Sequence, residues 1–223
     1  RDTSVTGVQT CALPIFLVLG GLQGALGWAM VASGLVERPS VSHYRLAAHL
    51  LLAVALYSYT VWLILELMPA YGRTEDPPSH DPKIAREARS MIGFVFVVMG
   101  FGAFMAGLRA GSSHSTFPTM SGYWIPPGLF DLSPWWINIF ENGTTIQFIH
   151  RWLAKLLVLG VLALLIRARR PEVWLAAAVA MMQLGLGIAT ILSGVDIALA
   201  TMHQAGAVLL LTVLIVVRHR SLG

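Results

Sequence analysis

Residues 144–166 read TTIQFIHRWLAKLLVLGVLALLI, and residues 197–217 read IALATMHQAGAVLLLTVLIVV. Each run is long enough to cross hydrocarbon as a single helix, which takes about 20 apolar residues at 1.5 Å rise. Each also carries one histidine, His150 or His203, about two turns inside its N-terminal end. Working outward, charge-poor runs of the same kind recur at 14–36, 44–68, 91–108 and 172–193, and the second of these holds a third histidine, His49. The chain therefore reads as six transmembrane helices. With 56% hydrophobic residues, 12% charged residues and a mean hydropathy of +0.71, its 223 residues cannot form a soluble domain. The period-two alternation of a membrane barrel is absent, so the fold class is all-α and polytopic. Arg45 and Glu66 lie near the ends of their run, where side chains snorkel. Arg151 and Lys155 sit deeper and require a reason.

A net charge of +4 and a pI near 9.6 invite a nucleic-acid reading, which the distribution of the charges excludes. Arg73, Lys83, Arg86 and Arg89 between the second and third runs, Arg167, Arg169 and Arg170 between the fourth and fifth, and Arg218 and Arg220 at the end all fall on one side. The other side offers mainly Arg38 and Arg109. By the positive-inside rule the first side is cytoplasmic. The 109–143 segment then faces outward, and its Trp124, Trp135 and Trp136 suit an interfacial belt. Residues 1–15 are polar and without pattern, lack the build of a signal peptide, and read as a foreign start joined to a truncated frame. The single cysteine, Cys11, lies there, so neither a disulfide nor a thiolate metal site is available.

The motif Q-x-x-L-G-x5-S-G occurs twice, from Gln23 to Gly34 and from Gln183 to Gly194. After each copy come a short loop and a helix with one histidine, His49 or His203. Both copies run in the same direction, which predicts parallel repeats about an axis along the membrane normal. Two helices precede the second copy and none precedes the first, so the parent is expected to hold eight spans in two four-helix bundles. On that reading residues 16–70 are the second half of the first bundle, 71–90 a cytoplasmic connection, 91–217 a complete second bundle, and 218–223 a basic tail.

His150 and His203 lie about six residues, roughly 9 Å, from the starts of their helices and therefore at one depth. Two neutral imidazoles facing across a bundle core ligate haem iron from both sides and leave no open position, which suits electron transfer. Gly100, Gly102, Gly107, Gly185 and Gly187 would leave room for a flat macrocycle, or serve plain helix packing. A lone intramembrane histidine can also be a satisfied polar residue. His43 and His114 are read as loop residues, His80 as part of a polar connection and His219 as part of the tail, all solvated. Arg151 is either a clamp for haem propionates or a snorkelling arginine. Lys155 has Glu66, Asp196 or a propionate as possible partners. Gln23, Gln147 and Gln183 orient ligands or bond between helices.

Ala106-Gly107-Leu108-Arg109-Ala110-Gly111, Thr116-Phe117-Pro118-Thr119-Met120, Trp124-Ile125-Pro126, Asn138 to Asn142 and Gln147-Phe148-Ile149-His150-Arg151 together resemble the haem A synthase family. Leu22 to Trp28, Val31 to Leu35 and Tyr44 to His49 fit the same family, over about residues 16 to 217. The lack of loop cysteines is similar to the alphaproteobacterial and mitochondrial form. The resemblance implies an oxidoreductase that converts the C8 methyl of haem O to a formyl group. It implies haem b between His150 and His203, with Arg151 beside it, and haem O on His49. It also implies a catalytic loop glutamate and a second haem O histidine before residue 16, so that these residues alone are expected to be inactive. The implied partners are membrane lipid, haem O synthase, assembly factors of cytochrome oxidase and further copies of the chain, in a bacterial inner membrane with the haem side toward the periplasm. Two alternatives from other classes are a dihaem cytochrome b-type electron carrier and a haem-free transporter of parallel repeats.

Overall fold

The computed structural model describes residues 3–36, 42–68 and 80–222, with side chains in the first segment from 12 to 32. Arg38, Arg73 and the stretch 71–79 of the expected connection lie outside the described residues. The long helices are α1 (Thr3–Val36), α2 (His43–Leu67), α3 (Pro82–Gly107), α5 (Gly143–Arg167), α6 (Pro171–Leu192) and α7 (Ile197–Arg220), with a single short turn, α4 (Asn138–Glu141), before α5. Six helices are long and apolar enough to span a membrane, and no strand is formed among the described residues. This is a multi-pass, all-α membrane protein.

Local chemistry sets the helix starts. Asp81 caps α3 by accepting from the backbone N–H groups of Lys83 and Ile84, both at 3.2 Å, with Pro82 at the first helical position. Asn142 caps α5 in the same way through Thr144 and Thr145, and Asp196 caps α7 through Leu199 at 3.0 Å. α6 opens on Pro171 with Glu172 in its first turn, and α7 ends on Arg218, His219 and Arg220, each charge suited to the helix dipole there.

Helices α3, α5, α6 and α7 close a ring, each packed on the next, around a core that includes Val95, Val161, Val173, Leu211 and Leu214. α2 lies in the groove between α3 and α7, where the Tyr57 and Thr212 hydroxyls share a hydrogen bond of 2.8 Å. α1 packs on α2. The end of the bundle carrying the 109–142 segment is called the loop side below, and the opposite end the basic side.

Two sequence boundaries are corrected. α3 begins at Pro82 rather than 91, because a capped, charged turn extends the helix beyond the apolar run and hydropathy does not register it. The expected basic tail is instead the packed end of α7. Arg218 lies 4.6 Å over the Trp62 ring, His219 is 3.7 Å from Glu66, and Arg220 is 3.5 Å from Glu172. Ser221 is fully buried, and its carbonyl accepts from the Asp81 N–H at 3.0 Å. His219 is therefore a contact residue between α7 and α2, whereas His80 is exposed as expected. α1 starts at Thr3 and continues through Pro14, so the first fifteen residues are largely helical backbone.

Candidate functional site

His150 of α5 and His203 of α7 meet inside the ring toward the loop side. Their ring centroids are 6.4 Å apart and their planes cross at 80°. An imidazole nitrogen binds a first-row metal at about 2 Å and lies about 1.1 Å from its own ring centre. Two rings on opposite sides of one ion therefore have centres about 6.2 Å apart, close to the observed spacing. His150 Nδ1 is 3.1 Å from the Val98 carbonyl, a contact in which it donates. That fixes the tautomer that leaves Nε2 with a free lone pair, the form in which histidine binds a metal. His203 Nδ1 is buried without a hydrogen-bond partner among the described residues.

Each of the three intramembrane histidines leans on a glycine of a neighbouring helix. A Cβ at Gly102 would stand 3.3 Å from His150 Cε1, one at Gly187 would stand 2.9 Å from His203 Cε1, and one at Gly27 would stand 3.3 Å from His49 Cε1. Gly102 and Gly187 thus make room for the imidazoles themselves. Gly107 serves a different contact, since a Cβ there would fall 2.5 Å from His43 Cβ. The glutamine of the repeated motif reaches the same histidine as its glycine. Gln183 Nε2 donates to the His203 carbonyl at 2.6 Å, and Gln23 Nε2 lies 3.3 Å from His49 Nε2. The Q-x-x-L-G motif is a cradle for the histidine of the following helix. Among the described residues no second histidine ring faces His49.

Beside the site, residues 110–121 are pinned through their carbonyls to α5 at Gln147 and Arg151, three residues before and one after His150. Gln147, fully buried, donates to Gly111 at 3.3 Å and to His114 at 3.1 Å. Arg151 donates to Thr116 at 2.8 Å, to Thr119 at 3.4 Å and to His114 at 2.5 Å. The guanidinium, read as a propionate clamp or a snorkelling group, is engaged with the loop backbone, and its Nε has no partner among the described residues. His114 lies in the loop as expected from sequence, but it is partly buried and hydrogen-bonded rather than fully solvated. Its ring bonds Ser121 at 2.9 Å and approaches Thr144 at 3.5 Å. Burial, and then the charge of Arg151, hold its pKa below the ordinary 6.5. Farther along, Asn138 ties Leu132 to Trp135, Asn142 donates to Gly128 at 2.6 Å, and Thr145 donates to Leu129 at 2.5 Å. A polar stripe at 144, 147 and 151 on one flank of α5, at helical spacing, was the available signal for this docking.

His43, also expected in solvent, is buried at the start of α2. Its Nε2 lies 3.7 Å from Glu141, and Tyr44 donates to the same carboxylate at 2.6 Å. The rings of both residues pack edge-on to Phe104 of α3. This cluster fastens the α1–α2 hairpin to the four-helix ring six residues before His49. Among the described residues Lys155 forms an ion pair with neither Glu66 nor Asp196, the two protein partners expected for it. Its Nζ lies 4.3 Å from the Trp152 ring centroid and 5.9 Å from that of Phe117.

A ring of membrane-spanning helices with two histidine rings meeting inside it defines the class as an integral, all-α membrane protein. The family model described as cytochrome oxidase assembly protein, COX15-CtaA, matches residues 3–215, and the chain belongs to that family. Among curated relatives, a protein named heme A synthase from Nitrosospira multiformis is 43% identical over 213 residues, which cover 92% of this chain and 59% of the relative. Proteins of the same name from Rhizorhabdus wittichii and Rhodospirillum centenum are each 42% identical, covering 90% and 91% of this chain and 58% and 55% of their own lengths. The chain thus spans a little under three-fifths of the curated relatives it matches. No solved structure matches it.

Proposed function

We propose that the chain is part of a haem A synthase, an oxidoreductase that converts the C8 methyl of haem O to a formyl group. In this reading His150 and His203 hold haem b, and His49 is a ligand of the substrate haem O. The observation that carries it is the His150–His203 pair at 6.4 Å, with His150 Nδ1 committed to a carbonyl and glycines where larger residues would displace either ring. Haem b held by His150 and His203 would supply reversible one-electron chemistry. His150 contributes an Nε2 lone pair fixed by Val98, and Gln183 steadies the backbone of His203. Gln147 and Arg151 hold the 110–121 segment over the pair and keep bulk water from it. The Glu141–Tyr44 bond sets the depth of α2 and hence of His49.

The charge distribution supports a basic side in the cytoplasm and a histidine side toward the periplasm of a bacterial inner membrane. Lys83, Arg86, Arg89, Arg167, Arg169, Arg170, Arg218 and Arg220 all lie at the basic end. Haem O synthase as supplier of the substrate, assembly factors of cytochrome oxidase and self-association belong to the same proposal.

Titration of the purified chain with haem b tests the ligand pair. One haem per chain with a low-spin, six-coordinate spectrum is expected, lost in both His150→Ala and His203→Ala and kept in His49→Ala. Retention of that spectrum in both ligand variants would refute the assignment. Extraction of pigment from cells expressing the parent protein separates a synthase from an electron carrier, since only the synthase yields a formyl-bearing haem. A featureless visible spectrum would favour the transporter reading.

A further inference from the structure

Lys155 is a cation near the middle of α5 (Gly143–Arg167) with no counter-charge beside it among the described residues. Among the described residues Glu66 pairs with His219, Glu141 with His43, Glu87 with Arg167, Asp81 with Arg170 and Glu172 with Arg220, while Asp196 caps α7. None of these described carboxylates lies within ion-pair distance of Lys155. A ligand held between His150 and His203 does not supply the anion either. Lys155 follows His150 by five residues, about 140° round the helix, and so points away from the ring interior. Its neighbours on that flank, Trp152, Leu156 and Leu159, are 42%, 50% and 60% exposed and mark the lipid-facing surface of the span.

The depth of the ammonium follows from the loop. Residues 114–119 are irregular backbone, and irregular backbone does not lie lipid-exposed within hydrocarbon. Arg151 binds the carbonyls of Thr116 and Thr119, so the polar boundary reaches α5 at Arg151. A helical side chain leans toward its own N-terminus, and that lean brings Lys155 Nζ back up to Trp152 and Phe117, just beneath this boundary. The two rings flank the ammonium, and a cation–π contact leaves its N–H donors free for an acceptor. A charge at the boundary between headgroups and acyl chains, on a face open to lipid, matches the phosphate of a membrane lipid.

We propose that Lys155, flanked by Trp152 and Phe117, binds the headgroup phosphate of an anionic phospholipid in the leaflet on the loop side. The bound lipid neutralises Lys155 and packs its glycerol against Phe117, next to the segment pinned beside the histidine site. This assignment is independent of the haem reading.

Native mass spectrometry of the whole chain, with phosphatidylglycerol and phosphatidylcholine as probes, tests it. Lys155→Gln should weaken retention of phosphatidylglycerol about fivefold, the size of one basic residue's attraction to an anionic leaflet. Lys155→Arg should restore it, and Lys83→Gln on the basic side should leave it unchanged. Phosphatidylcholine should bind equally to all four proteins. Equal retention of phosphatidylglycerol by wild type and Lys155→Gln would overturn the proposal, as would an equal loss of both lipids. Displacement of phosphatidylglycerol by inorganic phosphate would also overturn it, by showing a site for a free anion from water. If Lys155→Gln does not fold, Trp152→Leu carries the same test, because Trp152 faces lipid and its loss should weaken phosphatidylglycerol alone.

Discussion

The α1–α2 and α6–α7 hairpins carry the same motif and reach different states. In both, a glutamine and a glycine on the first helix contact the histidine of the second. In α6–α7 that histidine faces His150 of α5 beside a pinned loop, and 39% of the most apolar stretch of α7 is buried. In α1–α2 the histidine has no ring opposite it among the described residues, and no residue in the most apolar stretch of α1 is fully buried. The repeated motif therefore presents one imidazole. The second ring and the cover come from α5 and the 110–142 segment, which lie outside the α6–α7 hairpin.

The largest expected effect breaks the comparison outright. His203→Ala should reduce bound haem from one per chain to none, whereas the equivalent His49→Ala should leave that haem in place, as read by the Soret band. Next in size, Gly187→Ala puts a methyl group 2.9 Å from His203 Cε1, while Gly27→Ala puts one 3.3 Å from His49 Cε1. Overpacking costs about 1–3 kcal/mol, so Gly187→Ala should shift or abolish the low-spin spectrum and Gly27→Ala should not.

Smaller effects concern the cover that only the second hairpin has. Arg151→Ala removes charged hydrogen bonds worth about 1.5–3 kcal/mol and should speed hydrogen exchange of the 110–121 amides without altering exchange in α1 and α2. The same amides should respond to pH. Docking of the loop holds the His114 pKa below its ordinary 6.5, so the docked state binds fewer protons than the open one. Docking is therefore full above 6.5 and weakens as pH falls through and below that value, and His114→Gln should flatten the profile. Smallest of all, Tyr44→Phe removes one partly exposed hydrogen bond to Glu141. Interhelical bonds in membranes average about 0.6 kcal/mol, so thermal melts should fall slightly while the haem spectrum stays unchanged.

The six spans were legible because burial in lipid depends mainly on local apolarity, and the histidine pair because equal depth follows from counting residues. The errors were at residues whose surroundings come from distant sequence. His43 and His114 look like loop histidines, yet His43 is buried against Phe104 and Glu141, and His114, though in the loop, hydrogen-bonds Ser121 and approaches Thr144. Gly102 and Gly187 suit either a flat macrocycle or plain helix packing by sequence, and the structure sets each against an imidazole of a neighbouring helix. The 71–90 connection was drawn too long because capping by Asp81 extends α3 into a charged segment.

Composition and periodicity by themselves determined a polytopic helical chain, its repeat, and a matched pair of buried histidines, since transfer from water to lipid and helical rise are properties of the local sequence. Only the tertiary structure decided that Arg151 and Gln147 bind loop carbonyls, that each motif glycine accommodates an imidazole, and that Lys155 turns outward. Hydrogen bonds and close packing depend on which group stands opposite, and that is fixed only once the helices have closed their ring.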